Sequence, residues 1–562
     1  MTDKMKRSGS GDELVFVALG GLGEIGMNTY LYGLGTPKDR QWLMVDLGIT
    51  FPHEAEPGVD IVLPDVRFAE ANKASLVGLV LTHAHEDHIG AVLECWPKLK
   101  CPIYATPFTA GMLNAKNAEN GGRVKLPINI VKLGSRFNVG PFDLELVTLA
   151  HSIPEPSGIA IRTPHGMVFH TGDWKLDATP LIGDPSNDAK LQELGNEGVD
   201  VIICDSTNAM REGRSPSELE VATSIAKIIK GAKRRVAVTT FASNVARVKA
   251  VADAAKAAGR KLIVSGRAMH RVIRVAKDTG YLPEDFQAYD QNQFSYYEPH
   301  EVVLLCTGSQ GEARAAMARI GEDDHPEIEL GKGDLVIFSS RPIPGNEKGI
   351  GQVQNNLSRL GCDIITDSDA LVHVTGHPRR EELRQMYAWL KPKVAIPMHG
   401  EARHLREHAK LAREAGVPDV HTFTDGEIVR LAPGPALAID EAPTGRLFRD
   451  GKLIVPAADG PVRDRRKLST VGLIAVAIAI DRNGDIAADS EVELDGVPKA
   501  TADGRSMHEL VLTAVEGTLD SIPPKRRKDD EKVKDAVRRA VRAAVDQVWG
   551  KKPIVKVLVC LV

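Results

Sequence analysis

Residues 79–92 read LVLTHAHEDHIGAV, with His83, His85, Asp87 and His88 packed into one short segment. The apolar run that leads in, LVGLVL, predicts a buried strand. The run that leaves, IGAVLECWPKL, predicts an amphipathic helix. His83 and His85 are two apart on extended chain, so their rings project to one side. Asp87 and His88 then fall at the turn into the helix. A solvated loop that merely happens to hold three histidines and an acid would not be framed in this way. The HxHxDH arrangement lets one segment serve two adjacent metal ions, with imidazole and carboxylate donors of the kind zinc takes.

Two ions need further ligands, and the chain offers them in a repeated setting. His151 ends FDLELVTLAH, Asp173 follows MVFHTG, Asp205 ends VDVIIC, His373 and His377 lie in ALVHVTGH, and His399 ends KVAIPMH. Each is expected at or just past the C-terminal end of a strand. Strand ends of packed sheets gather along an edge, so residues from distant segments can meet there. Other histidines read differently. His170 alternates within a strand and His270 lies on a helix, which suits structural roles. His404 and His408 are four apart on a predicted helix, but no glutamate stands in an HExxH setting between them, and they read as a solvated face.

A second motif competes for attention. GLGEIG (21–26) follows the apolar run LVFVAL and is trailed by Asp46, as in a dinucleotide-binding turn. Such a site requires the last glycine to open a helix whose amides receive a pyrophosphate. Here the glycines are followed by MNTYLYGLGTPKDRQWLMVDLG, which alternates like a hairpin. The nucleotide reading fails, and the glycines predict a tight turn between strands.

Charged residues make up 26% and hydrophobic residues 43% of 562 residues, a soluble globular balance for a chain of three or four domains. The net charge of −4 argues against holding nucleic acid by bulk charge but permits a local basic channel. The six cysteines form no CxxC pair and mostly sit in apolar runs, which suits a reducing compartment. No secretory signal and no transmembrane run is visible, so a cytoplasmic protein without membrane attachment is expected.

Residues 1–13 are expected to be a flexible N-terminus. Strand-rich meanders fill 14–215. From 216 to 370 strands alternate with helices, which implies a parallel, doubly wound sheet. Residues 371–440 return to the first domain, and an irregular linker (441–461) precedes a small α/β domain (462–562).

HxHxDH followed by a lone histidine and a later aspartate resembles the metallo-β-lactamase superfamily, an αββα sandwich with two zinc ions at its edge. The α/β insertion after Asp205, closed by ALVHVTGH and IPMHGE, resembles the β-CASP branch. The whole order, including GGLGEIGMN and the C-terminal domain, is similar to the bacterial ribonuclease J family over about residues 14–562. The fold class implied is α/β: an αββα sandwich, an inserted β-CASP doubly wound domain and a small C-terminal α/β domain.

The resemblance implies two Zn²⁺ per subunit, with Mn²⁺ or Mg²⁺ as substitutes. One ion would be held by His83, His85, His151 and Asp173, the other by Asp87, His88, Asp173 and His399. Asp87, Asp205 and His377 would be catalytic, and Asp46 would orient ligands without binding metal. Phe241, Ala242 and Ser243, with His373, Val374, Thr375, Gly376 and His377, would contact substrate, while GSQGEA (308–313) and SSRPIPGNE (339–347) could flank the same channel.

The implied function is 5′→3′ exoribonuclease action preferring 5′-monophosphate ends, together with endoribonuclease action. It would serve RNA maturation, including ribosomal RNA, and messenger decay. Single-stranded RNA is the implied partner, with a homodimer or homotetramer and RNA-degradation proteins as further ones. The alternatives are a β-CASP DNA nuclease, against which His399 speaks, and a non-catalytic RNA-binding scaffold, against which the full ligand set speaks. A small-molecule hydrolase would not need the insertion.

Overall fold

The computed structural model describes residues 11–343 and 345–562. Most of the segment expected to be flexible (1–13), and Pro344 within SSRPIPGNE, lie outside the described residues.

Two sheets build the part of the chain that carries the HxHxDH segment. The first has eight strands, and Glu13–Gly20, Thr29–Thr36, Asp39–Val45 and Leu76–Val80 stand side by side in it. The second has seven, with Phe142–Thr148, Ser157–Thr163, Gly166–His170, Val201–Asp205 and Val394–Met398 adjacent in that order. Alternation along these strands decides what lies between the sheets. Phe16, Tyr30, Tyr32, Leu43, Val45 and Val80 of the first sheet share one core with Leu144, Leu146, Ile159, Ile161, Val168 and Ile203 of the second.

The other faces carry helices. On the second sheet, Leu149, Phe169, Ile202 and Cys204 pack with Leu191 and Leu194, Leu383 and Tyr387, and Leu411 and Ala412, from three helices. On the first, Trp42 points away from the shared core and meets Phe68 of helix Arg67–Ala71 edge to face at 5.1 Å. The arrangement is the αββα sandwich expected.

The inserted domain is a six-stranded sheet in which every pairing is parallel, ordered Tyr289–Asp290, Lys261–Ser265, Val302–Cys306, Val236–Thr239, Leu335–Phe338, Asp363–Ile365. Its core joins Ala237, Leu304, Val336 and Phe338 to Met317, Ile320, Val353 and Leu357 of the crossover helices.

Contacts divide the chain into two compact units, the second comprising residues 51–61 and 448–562. That unit has a core of its own. Ile474, Val476, Ile478 and Ile480 alternate inward on strand Leu473–Ile480. They meet Val511, Val515 and Leu519 of one helix and Val533, Val537, Val541 and Val545 of another. Both helical sets repeat every four residues, which keeps them on one face.

Three expectations need correction. Residues 441–461, read as an irregular linker, include strands Arg446–Asp450 and Leu453–Pro456 and the start of helix Gly460–Val471; proline and glycine around short runs hid the alternation. ALVHVTGH, read as a strand, is not one: 371–379 carry no strand or helix. Its carbonyls are taken instead by side chains, Val372 O by Arg247 and Ser339, and His377 O by Asn208 and Ser215, which satisfies the backbone without a ladder. His408, read as solvated, is fully buried between the Ser206 hydroxyl (2.8 Å) and the Tyr387 hydroxyl (2.7 Å), and His404 is buried beside Gly400.

Candidate metal centre

The HxHxDH segment leaves strand Leu76–Val80 and enters helix Glu86–Ile89. Its turn is clasped by the first sheet. Asn28 N donates to Asp87 O at 2.9 Å and Leu47 N to His88 O at 2.7 Å. A Cβ on Gly48 would stand 1.6 Å from Asp87 O, so only glycine allows this approach. Asp46 and His399 hold left-handed backbone, at φ 59° and 51°. That conformation is uncommon without glycine and costs energy that the surrounding bonds must offset. They are supplied: Asp46 N donates to Val80 O at 2.9 Å and His399 N to Gly21 O at 2.8 Å.

Two groups of side chains converge there. His83 Nε2 is 3.1 Å from His85 Nδ1, which is 3.0 Å from His151 Nε2. Asp173 Oδ2 stands 3.9 Å from His83 and 3.8 Å from His151. On its other side the same oxygen is 3.2 Å from His88 Nε2 and 3.5 Å from His399 Nε2, with Asp87 Oδ2 3.6 and 3.7 Å from those rings. The ligand atoms of each group lie within 4.8 Å of one another, and Asp173 belongs to both. Asp173 Oδ1 and His399 Nε2 are buried without a hydrogen-bond partner among the described residues, which native proteins avoid unless something else satisfies them. Three imidazoles with a carboxylate, and two imidazoles with two carboxylates, fit zinc in composition.

The far nitrogens of the rings are wired into the protein, and the wiring assigns their protons. His88 Nδ1 donates to Asp46 Oδ2 at 2.7 Å. His83 Nδ1 donates to the Thr82 hydroxyl at 3.0 Å, and that hydroxyl donates to Asp46 Oδ2 at 2.8 Å. His399 Nδ1 donates to Asn28 Oδ1 at 2.8 Å, and His151 Nδ1 to Gly376 O at 2.6 Å. With zinc bound, each of these four rings would turn its unprotonated nitrogen to the ion, and such partners fix ligand orientation. Asp46 stands behind the His88 ring and, through the Thr82 hydroxyl, behind His83. Asn28, Thr82 and the Gly376 carbonyl were not foreseen; only the polar Asn28 at the head of an otherwise buried strand hinted at a role.

Burial, together with neighbouring imidazoles, pushes His83 and His151 well below the ordinary histidine range. Burial likewise takes His85 down to about 4 against the pull of Asp87 and Asp173. Burial opposes charge on His88 too, but Asp173, Asp87 and Asp46 outweigh it and raise that ring. Asp173 is held well below its usual range: burial works against its charge, and His399, His88 and His377 overcome this.

Beside the two groups, Asp205 Oδ2 is 2.7 Å from His377 Nδ1, and Asp205 Oδ1 accepts from Thr207 N at 2.8 Å. His377 Nδ1 is 3.8 Å from Asp173 Oδ2. Burial disfavours its charged form, yet Asp205 and Asp173 raise it to about 9. Asp87 is 29% and His377 19% exposed, whereas Asp173, His88 and His399 are at most 2%, so the centre opens to solvent on the Asp87–His377 side.

The remaining expected residues divide. Thr375 accepts from Asn208 Nδ2 at 2.9 Å, and Gly376 packs so closely that a Cβ would lie 2.4 Å from the His151 ring. Val374 is buried and His373 half-buried. Phe241, Ala242 and Ser243 are half-buried at the mouth of helix Val245–Ala257, capped by Asn244, and Arg247 of that helix reaches Val372. GSQGEA and SSRPIPGNE pack on each other through Gln310 Nε2 to Arg341 O (3.0 Å) and Ile343 N to Gln310 Oε1 (2.8 Å). His170 bonds Tyr32 in the core and His270 is exposed on its helix, apart from either group.

A two-group edge on an αββα sandwich with a parallel α/β insertion defines a metallo-β-lactamase-type hydrolase of the β-CASP kind. Family models match in the same order: Beta-lactamase superfamily domain (55–240), Ribonuclease J, beta-CASP domain (233–357), Zn-dependent metallo-hydrolase RNA specificity domain (368–424) and Ribonuclease J C-terminal domain (460–562). A ribonuclease J of Sinorhizobium meliloti is 50% identical over 98% of this chain and 97% of its own length. Those of Corynebacterium glutamicum (38%; 96% and 74%) and Thermus thermophilus (34%; 98% and 95%) are also similar. The chain belongs to the ribonuclease J family, and is a hydrolase of the nuclease class. A solved protein of unknown function from Enterococcus faecalis V583 shares the fold, with TM-score 0.52 at 14% identity, over 74% of this chain and all of that one. No helix among the described residues is long and apolar enough to cross a membrane.

Proposed function

We propose that this protein is a zinc-dependent ribonuclease acting on single-stranded RNA, both 5′→3′ from 5′-monophosphate ends and internally, in RNA maturation, including that of ribosomal RNA, and in messenger decay. The observation that carries the reading is the pair of ligand groups sharing Asp173 at the solvent-open edge, on a chain of this family. One zinc would be held by His83, His85, His151 and Asp173, the other by Asp87, His88, Asp173 and His399. Bound there, such a pair supplies an activated water at neutral pH and neutralises the charge of an attacked phosphodiester.

The chain's own groups do the rest. Asp205 fixes the ring of His377 by accepting from Nδ1, which leaves Nε2 to face substrate. There it donates to the phosphate or gives a proton to the departing 3′ oxygen. Asp87, a partly exposed residue of the second group, borders the approach of the water. Phe241–Ser243 and His373–His377 supply amides, hydroxyls and a ring to the sugar-phosphate chain. Residues 216–370 are read as the inserted domain, and the C-terminal domain as the site of self-association into a homodimer or homotetramer.

The test is cleavage of matched single-stranded RNA and DNA carrying 5′-monophosphate, triphosphate or hydroxyl ends by zinc-loaded protein. RNA-selective release of mononucleotides, fastest from the monophosphate, is expected. Preference for DNA, or binding without cleavage, would sink the proposal.

A further inference from the structure

The ribonuclease reading uses no residue of helix Val245–Ala257, yet that helix holds a fully buried arginine. Arg247 and its partner Glu218 are 0% and 1% exposed, with Nη2 2.8 Å from Oε2. The other arm of the guanidinium leaves the pair: Nη1 donates to Val372 O at 2.7 Å and to the Ser339 hydroxyl, which itself donates to Val372 O at 2.6 Å. Arg247 and Ser339 therefore grip one carbonyl at the head of the irregular stretch 371–379, and Glu218 holds the guanidinium in place.

Both ends of this grip run to the metal centre. Downstream of Val372, Gly376 O accepts from His151 Nδ1 at 2.6 Å, and His377 Nδ1 meets Asp205 at 2.7 Å. In the other direction Glu218 N donates to Asp177 Oδ2 at 3.0 Å, and that oxygen is 2.9 Å from the buried ammonium of Lys175. Lys175 stands two residues after Asp173, and its N–H donates to Ala150 O, beside His151, at 2.8 Å.

A buried ion pair is weak evidence of added stability, because well-packed apolar residues of like size often do as well. What apolar residues cannot do is hold a carbonyl at a set place and angle, which the planar guanidinium does. Resting on the ribonuclease reading, we propose that Arg247 is a positioning residue: its fork sets where stretch 372–377 lies, and so aligns His377 on the reacting phosphate while the Gly376 carbonyl keeps His151 turned toward the metal centre. Its place just past Phe241–Ser243 ties that alignment to the loop that meets the substrate backbone.

The experiment compares three full-length proteins with wild type on a 5′-monophosphorylated RNA: Arg247→Lys, Arg247→Ala, and Arg247→Met with Glu218→Leu. The double change removes both charges together and leaves none unpaired. Zinc per chain, thermal midpoint, kcat and KM are read for each. A misalignment near 1 Å lowers turnover by about 10²-fold, so kcat of the folded double variant should fall by roughly that factor, well beyond any rise in KM or loss of zinc. Arg247→Lys, which keeps a charge for Glu218 but not the fork, should fall alike. Added methylguanidinium should restore part of kcat to Arg247→Ala. Wild-type kcat in the folded variants, or a rise in KM alone, would overturn the proposal. Should the double variant not fold, Arg247→Lys decides by the same criteria. Wild-type protein inactive on every RNA would instead refute the ribonuclease reading itself.

Discussion

At the scale of single residues, ligand chemistry and proton wiring make separable claims. His85→Ala and Asp87→Ala each remove a donor at a partly open edge, so cleavage should fall to background while the circular dichroism spectrum and thermal midpoint persist. Cleavage by verified, metal-analysed variants would contradict the site. His377→Ala should lower kcat by about 10²–10⁴-fold with zinc per chain unchanged; an emptied centre would show that its role is wrong. A pH effect follows from unequal histidines. His88 is raised by three carboxylates, while His83, His85 and His151 are lowered, His85 to about 4. Falling pH therefore protonates His88 first, and a proton there competes with metal. Stepwise acid dialysis against a chelator should release zinc in two stages, the group with His88 and His399 first, and Asp87→Asn should remove that first stage.

At the scale of elements, close backbone approach decides more than side-chain chemistry. Gly48→Ala would drive a Cβ into Asp87 O, which is main chain and cannot swing aside. The expected result is a lower thermal midpoint with lost zinc, since the turn carrying Asp87 and His88 must move. The helix Ala402–Glu414 offers a second case. His408→Ala leaves the buried Ser206 and Tyr387 hydroxyls without their shared partner, at a cost of about 1–3 kcal/mol, read by denaturant melting, with zinc content unaltered. Misreading that helix as solvated had a physical cause. HLREH carries charges at i+2 and i+3 that do face outward, and only a neighbouring helix bearing Tyr387 reveals where the histidine points.

At the scale of the whole molecule, each unit has a core of its own: the sandwich and inserted-sheet clusters draw on residues 14–436, the C-terminal cluster on 474–557. A chain ending at residue 457 should therefore keep its zinc and far-ultraviolet signature yet sediment as a smaller species. An unchanged oligomer would place self-association elsewhere.

The HxHxDH segment, the histidines and acids at strand ends and the change to alternating strands and helices were legible because their periods are local. Imidazoles two apart on a strand face one way in any fold, and hydrophobic alternation reports which face is covered. GLGEIG was legible by the same rule, since what followed it alternated instead of coiling. Convergence was another matter. That His151 leans on the Gly376 carbonyl, that Asn28 and Thr82 hold the protons of His399 and His83, and that Arg247 grips Val372 all depend on segments far apart in the chain. A side chain that satisfies a backbone carbonyl leaves no period behind it, so sequence wrote the ligands and tertiary packing alone decided their orientation.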